Sequence, residues 1–234
     1  MIPVDLYLRV REMEGRLYPD DVVARLPQVS TNHPLADEWH ARATSSSKLI
    51  HYLTRNVHPL NILDVGCGNG WLSHKLSLIR GARVWGVDIN EHELRQAVRI
   101  FSNHHLSFLK ADIFHAPFSR YSFDSIILGN VIQYFPDLPG LLLVLKSLLS
   151  QGGEIHLLDS PFYEPNEIPS ACERTRIYYT SLSLPEMAEH YFHHSNASLE
   201  KFSPHWLYKP DNFAARFMRR VGKPASPFPW IVIR

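Results

Sequence analysis

Three carboxylates and a run of glycines carry the chemistry that can be read first. Asp64 leads into Gly66, Gly68 and Gly70 within the stretch Ile62 to Trp71, and Asp88 and Asp112 follow at equal intervals. Glycine permits a sharp turn and lets a ligand approach the backbone with no Cβ in the way. A helix that starts just beyond such a turn offers free N–H groups and a positive dipole end, which favour an anionic group. A carboxylate at the end of a second strand can accept both hydroxyls of a ribose. The residue types therefore suit a ligand that joins a nucleoside to an anionic tail.

The spacing narrows the ligand. Dinucleotide loops follow G-x-G-x-x-G, whereas the glycines at 66, 68 and 70 give G-x-G-x-G, and position 71 is Trp. A nicotinamide-dependent oxidoreductase is disfavoured on that ground. A glycine turn alone is a weak signal. Three acidic residues at equivalent strand ends strengthen it, because that edge is where open α/β sheets bind ligands.

The elements that must hold these residues follow from hydrophobic periodicity. Residues 61–65, 83–88, 106–110, 123–128 and 154–159 read as strands, and residues 71–80 read as a helix stopped by Gly81. Asn90 should cap the next helix, with Glu93 in the reciprocal place of a capping box. Residues 137–150 should form a helix stopped by Gly152-Gly153. Alternation at this spacing means βαβ units and a mostly parallel sheet in an α/β fold. Before residue 59, residues 35–57 read as a helix capped by Ser45, Ser46 or Ser47 and ended by His58-Pro59, after short helices and turns in 1–34. After Asp159 a helix is expected near 184–194, a strand near 199–206, a helix near 211–221 and a last strand at 230–234.

The chain resembles the class I S-adenosylmethionine-dependent methyltransferases of the small-molecule type, such as those of quinone biosynthesis. The likeness covers roughly residues 59–160. It implies a Rossmann-like, mostly parallel seven-stranded sheet with helices on both faces and a last antiparallel strand. It implies S-adenosyl-L-methionine as methyl donor, S-adenosyl-L-homocysteine as product, and a small organic molecule as acceptor. By that resemblance the cofactor-binding residues are Asp64, Gly66, Cys67, Gly68, Asn69, Gly70, Asp88, Ile89, Asp112, Ile113, Asn130 and Val131. Asp64 would support the ammonium, Asp88 the ribose, and Asp112 the exocyclic amine of adenine. The segment from Gly129 to Asp137 resembles the family's stretch beside the methyl group. Many relatives carry His where this chain has Tyr134, so a histidine base is ruled out there. Residues 1–58 are expected as a helical extension or lid, and 59–234 as the methyltransferase domain, with its cofactor core at 59–160 and a substrate-side segment at 161–210.

Methyl transfer from a sulfonium needs no protonation of the leaving group, so in-line positioning can carry most of the work. A base is needed only if the nucleophile must lose a proton. Tyr134, Asp159 and Tyr163 are the candidates, the tyrosines serving better as pocket walls because a phenol has a pKa of about 10. Trp39 and Arg42 could close over the cofactor. A cofactor-binding protein that has lost transfer, acting as partner or regulator, is the alternative.

Composition bounds the rest. The 234 residues suit one α/β domain with appendages. A net charge of +1 gives no reason to expect a nucleic-acid or membrane partner. Nor does an Asn/Asp-Pro-Pro-Tyr/Trp tetrapeptide follow the fourth strand, where Asn130 precedes Val131. Cys67 and Cys172 make no disulfide framework. His104-His105 and His193-His194 lack the spacing of a metal site, so none is expected. The basic residues Arg216, Arg219, Arg220 and Lys223 read as a solvated face. The opening residues lack the order of a signal peptide, and a soluble cytoplasmic protein is expected.

Overall fold

A computed structural model describes residues 2–55, 59–210 and 226–234. Three helices come first, α1 (Val4–Met13), α2 (Asp20–Val23) and α3 (Ala36–Leu53). Then β1 (Leu60–Val65), α4 (Trp71–Ser77), β2 (Ala82–Asp88), α5 (Glu91–Ile100), β3 (Leu106–Lys110) and β4 (Phe123–Gly129) alternate. They are followed by α6 (Leu138–Leu148), β5 (Leu149–Leu158), α7 (Ile168–Ser181), β6 (His205–Tyr208) and β7 (Trp230–Ile233). The seven strands form one sheet in the order β3-β2-β1-β4-β5-β7-β6. β1 to β5 run parallel, and β7 enters antiparallel between β5 and β6. The order reverses at β1, which opens a crevice at the C-terminal ends of β1 and β4.

Both sheet faces are covered, because alternate side chains of each strand point to opposite layers. Leu63, Ile126, Leu128, Ile155, Leu157, Ile231 and Ile233 pack with Leu141, Leu142 and Leu145 of α6. Ile62, Ile127, Leu158, Trp230 and Val232 pack on the other side with Leu49 and Leu53 of α3 and with Trp71 and Leu76. A third cluster lies off the sheet: Ile2, Leu6 and Val10 meet Tyr179, Leu184 and Met187. It ties α1 to α7 and to the 3-10 turn Pro185–His190. No helix among the described residues is long and apolar enough to cross a membrane.

Several elements differ from the sequence reading. Ser45, Ser46 and Ser47 lie inside α3 and do not cap it. The Ser45 and Ser46 hydroxyls bond back to the carbonyls of Arg42 and Ala43, which lets serine sit within a helix. Val57 and His58, the expected end of that helix, lie outside the described residues. α6 stops at Leu148 rather than running to residue 150, because Leu149 turns to ψ 135° and pairs at once with Phe123. Pairing resumes at Glu154 after a bulge that holds Gly152 at φ 79°. α7 was not expected. Pro169 breaks the pattern to the eye, yet it stands in the first helical turn, where its missing N–H costs nothing. The expected helix at 184–194 is only the 3-10 turn Pro185–His190, followed by extended chain whose Phe192 N–H bonds Gln133 O. The expected strand near 199–206 is mostly the 3-10 segment Asn196–Phe202, and β6 begins at His205. The expected helix near 211–221 and the basic residues 216–223 lie outside the described residues.

Candidate active site

The glycine turn is built as its composition demands. Gly66, Gly68 and Gly70 all take positive φ. At Gly66 an added Cβ would fall 2.2 Å from Val131 Cγ2, and at Gly70 it would meet Phe108 and Ala97 at 2.6 and 2.8 Å. Any side chain at either place would force β1 away from the residues after β4, or α4 away from α5 and β3.

Asp88 links the turn to the next helix. Its Oδ2 accepts from Gly68 N–H at 2.8 Å and its Oδ1 from Asn90 N–H at 2.8 Å. That second bond alters the expected capping box. Asn90 does cap α5, accepting from His92 and Glu93 N–H, but its own N–H is taken by Asp88. Glu93 therefore bonds the Asn90 side-chain amide at 2.9 Å instead. Burial raises the Asp88 carboxyl, and the amides of Asn90, Gly68 and Ile89 pull it back down. Burial also raises Glu93 to about 7, with Arg11 opposing.

A cavity of about 340 Å³ opens beside this turn. Gly66, Gly68, Asp88, Ile89, Asp112, Ile113, Asn130 and Val131 all line it. Asp112 also caps the turn Ile113–His115, accepting from Phe114 N–H at 3.1 Å. Asp64, Cys67, Asn69 and Gly70 stand outside its lining. Asp64 lies under the loop, where Oδ2 accepts from Ser73 Oγ at 2.6 Å and burial raises its carboxyl to about 7. Cys67 is a buried free thiol, raised by the same burial.

The sequence reading missed that Ile2, Val4 and Tyr7 roof the cavity. Nothing in residues 1–13 marks a ligand contact except the amphipathic placement of Leu6 and Val10, which the third cluster absorbs.

Beyond Asn130 and Tyr134, which line both, lies a second cavity of about 1220 Å³. Its walls come from α1, α3, α7 and the chain after β5. Arg16 grips Glu38 through two bonds of 2.7 and 2.5 Å and reaches Glu14 at 3.0 Å. Arg42 joins Glu38 at 2.8 Å. Burial opposes the charge on Glu38, but these two arginines outweigh it and hold the carboxyl at about 2. Arg11 is less well served: Glu14 is 3.9 Å away and its buried Nε has no partner.

The three base candidates all face this second cavity. Burial raises the Tyr134 and Tyr163 phenols, which keeps them protonated at neutral pH. Burial raises Asp159 as well, with Arg42 opposing. Asp159 adopts φ 53°, accepts from Ser45 Oγ at 2.7 Å and meets Ser226 Oγ at 3.4 Å. With its amide oxygen turned towards Arg42, Asn130 accepts from Nη2 at 2.5 Å and donates to the Asp159 carbonyl at 3.1 Å.

Two expectations need correction. Trp39 does not close over a ligand. Its ring is buried against Trp71, and its Nε1–H donates to Tyr18 Oη at 3.0 Å. Arg42 does reach a cavity, but it is the larger one. His193 and His194 serve local structure. His194 Nε2 bonds the Ile132 carbonyl at 2.9 Å, and His193 meets Thr175 Oγ1 at 2.9 Å. No cluster of three metal-ligating side chains occurs among the described residues.

Residues 57–203 match the family described as Methyltransferase domain. Over 110 residues the chain is 31% identical to a sterol 24-C-methyltransferase of Gibberella zeae, an alignment that covers 44% of this chain and 29% of that protein. The chain thus spans less than a third of the length of that relative. Among solved structures it is similar to the geranyl diphosphate C-methyltransferase of Streptomyces coelicolor A3(2), solved with Mg2+, geranyl diphosphate and S-adenosyl-L-homocysteine. That likeness has a TM-score of 0.62 and 15% identity over 99% of this chain and 97% of the other. It is equally similar to a chain of the complex described as that between the Haloferax volcanii Trm112 methyltransferase activator and a methyltransferase, with a TM-score of 0.62 and 15% identity over 100% of this chain and 98% of that one. At these identities the structural likenesses establish the fold.

Proposed function

This chain belongs to the methyltransferase domain family, and on that premise we propose that it transfers the methyl group of S-adenosylmethionine to a small organic acceptor, releasing S-adenosylhomocysteine. The observation that carries the reading is the 340 Å³ cavity with Asp88 and Asp112 on its wall and an opening at Asn130 and Tyr134 into a larger one. A nucleoside fits the first in size and chemistry. Each Asp88 oxygen is taken by one amide, which leaves lone pairs for two ribose hydroxyls. Val65, Val87, Ile89 and Ile113 supply apolar wall for a purine, and Asp112 can accept from its amine.

The donor supplies an electrophilic methyl group on a sulfonium, whose departure as a neutral thioether needs no acid. The protein's task is then alignment. The Asn130–Tyr134 segment, fixed by Val131 against Gly66, forms the gate where nucleophile and methyl meet. Arg11 stands on the far side of that gate with an unpartnered Nε, well placed for the carboxylate of the donor's amino-acid tail. Asp64, beneath the glycine turn, accepts from Ser73 Oγ, and the ammonium of that tail would favour its ionised form. The N-terminal helix and residues 161–210 make the acceptor side, and α1 closes both cavities.

The test is twofold. Calorimetry with S-adenosylhomocysteine should show binding to the full chain. Methyl-labelled S-adenosylmethionine should pass label to a small molecule of a metabolite extract. Binding without any transfer would leave a cofactor-binding protein and sink the enzymatic reading.

A further inference from the structure

The charges on the large cavity sort into satisfied and unsatisfied ones. Arg16 and Arg42 are spent on Glu38. Glu14 takes Arg16 and the Tyr178 hydroxyl at 2.7 Å. Arg174, on α7, has no carboxylate within 4 Å among the described residues; it donates only to Ser170 Oγ at 3.3 Å. Its neighbour Glu173 is held by Arg176 through bonds of 2.8 and 2.6 Å. Asp37 and His40 are exposed at the rim on α3.

Near the gate, Gln133 shows a matching vacancy of opposite kind. Its side chain is 3% exposed. Its Nε2 is fixed on the Asn130 backbone carbonyl at 2.9 Å, and the Gln133 backbone carbonyl accepts from Phe192 N–H at 2.7 Å. Its Oε1 is buried without a partner, in a residue that lines the cavity. A buried acceptor left unmade is costly, and an O–H or N–H from a bound molecule would satisfy it. The rings of Tyr134, Tyr163 and Tyr191 line the same cavity as Gln133 and Arg174, a lining that suits a flat aromatic body.

We propose that the acceptor is an aromatic acid: its reacting hydroxyl or amine donates to Gln133 Oε1, and its carboxylate or phosphate pairs with Arg174. The inference rests on the methyltransferase reading and separates this chain from the carbon methylation named in its relatives. An alkene carbon carries no O–H or N–H to donate to Gln133. In the reaction the acceptor's oxygen or nitrogen lone pair forms the bond to the methyl carbon. The electrons of the breaking C–S bond stay on sulfur, and the acceptor's proton leaves its hydrogen bond to Gln133 Oε1 and passes to the carboxylate of Asp159, which lines the same cavity.

The experiment uses the full chain, methyl-labelled S-adenosylmethionine and matched probes. These are 4-hydroxybenzoate, 4-aminobenzoate and 4-hydroxyphenyl phosphate, the methyl esters of the two benzoates, geranyl diphosphate, and a sterol with a side-chain alkene. Label is expected on the oxygen or nitrogen of an acid, with kcat/KM about tenfold above that for its ester, because only the acid pairs with Arg174. Which acid is used separates carboxylate from phosphate. Arg174→Gln should raise KM for the acid about tenfold, leave kcat and the ester alone, and leave S-adenosylhomocysteine affinity unchanged. Gln133→Leu should lower kcat, with Gln133→Glu also tested because a carboxylate restores the acceptor. Transfer to carbon, equal use of acids and esters, or no transfer to any acid while S-adenosylhomocysteine still binds would each overturn the proposal. Failure of S-adenosylhomocysteine to bind would overturn instead the reading beneath it.

Discussion

The two cavities are built from different kinds of sequence. The smaller one is assembled by contiguous turns at the ends of β1, β2, β3 and β4, and backbone amides do much of its work. The larger one is assembled by side chains far apart in sequence: Arg16 meets Glu38, Tyr178 meets Glu14, and Ser45 meets Asp159. Its charges are paired with one another, whereas the acids near the smaller cavity are held close to neutrality by burial. The first design fixes one ligand by local geometry. The second leaves the ligand to be set by whichever groups the fold leaves unsatisfied.

The contrast breaks most visibly at Asp88. Asp88→Ala removes the acceptor for two ribose hydroxyls and for Gly68 N–H, so S-adenosylhomocysteine affinity should fall about a hundredfold or more by calorimetry. The pairs around Glu38 should be untouched. An unchanged affinity would place the nucleoside elsewhere.

The next effect comes from the buried acids. Asp64 and Glu93 are raised to about 7 by burial, from an unfolded value of about 4. Between those values the folded chain holds more protons than the unfolded one, so stability falls as pH rises through that window and the loss is complete above it. The ligand-free protein should therefore melt lower at pH 8 than at pH 5, by about 5 kcal/mol in stability for the two acids together. Asp64→Asn should flatten the slope. A slope of opposite sign would mean that these acids are ionised in the fold. Glu38 lies at about 2 and works the other way, adding stability that is lost only in stronger acid.

These two regions also differ in how far the sequence discloses them. The turn at Gly66–Gly70, the strand ends at Asp88 and Asp112 and the cap at Asn90 are local: each follows from a residue type beside its own backbone. The sheet is legible for the same reason, since its strands are short apolar runs between turn residues. Arg11, Gln133 and Arg174 are not legible. Their meaning lies in partners they lack, and a missing partner appears only when α1, α7 and the residues after β4 are brought together. Trp39 shows the converse. An aromatic on a helix before the core invites a role as a lid, but Trp71 and Tyr18 already fill its surroundings. α7 was hidden because three prolines, Pro161, Pro165 and Pro169, precede or open it, and proline at a helix start reads like proline in a loop.

Glu38 tests whether the paired charges of the larger cavity are a framework or a binding device. Glu38→Gln strands Arg16 and Arg42 without their shared carboxylate, in a partly buried setting, and should cost about 2 kcal/mol in denaturant unfolding. Affinity for S-adenosylhomocysteine should change little if the two cavities are energetically separate. A large loss of cofactor affinity would show that α3 and its arginines belong to the smaller site.

Arg11 sharpens the boundary itself, since it stands by Tyr134 where the cavities meet. If its free Nε takes the carboxylate of the donor's tail, Arg11→Gln should weaken S-adenosylhomocysteine about tenfold, equivalent to about 1.4 kcal/mol. 5′-Methylthioadenosine has the same nucleoside and no amino-acid tail, so its affinity should not move. Equal losses for both would mean that Arg11 acts by holding the roof of α1, through Tyr7 and the third apolar cluster, and not by meeting a charge. No loss for either would leave its cation to the acceptor, and the larger cavity would then offer two guanidinium groups to an anion, Arg11 at the gate and Arg174 on α7.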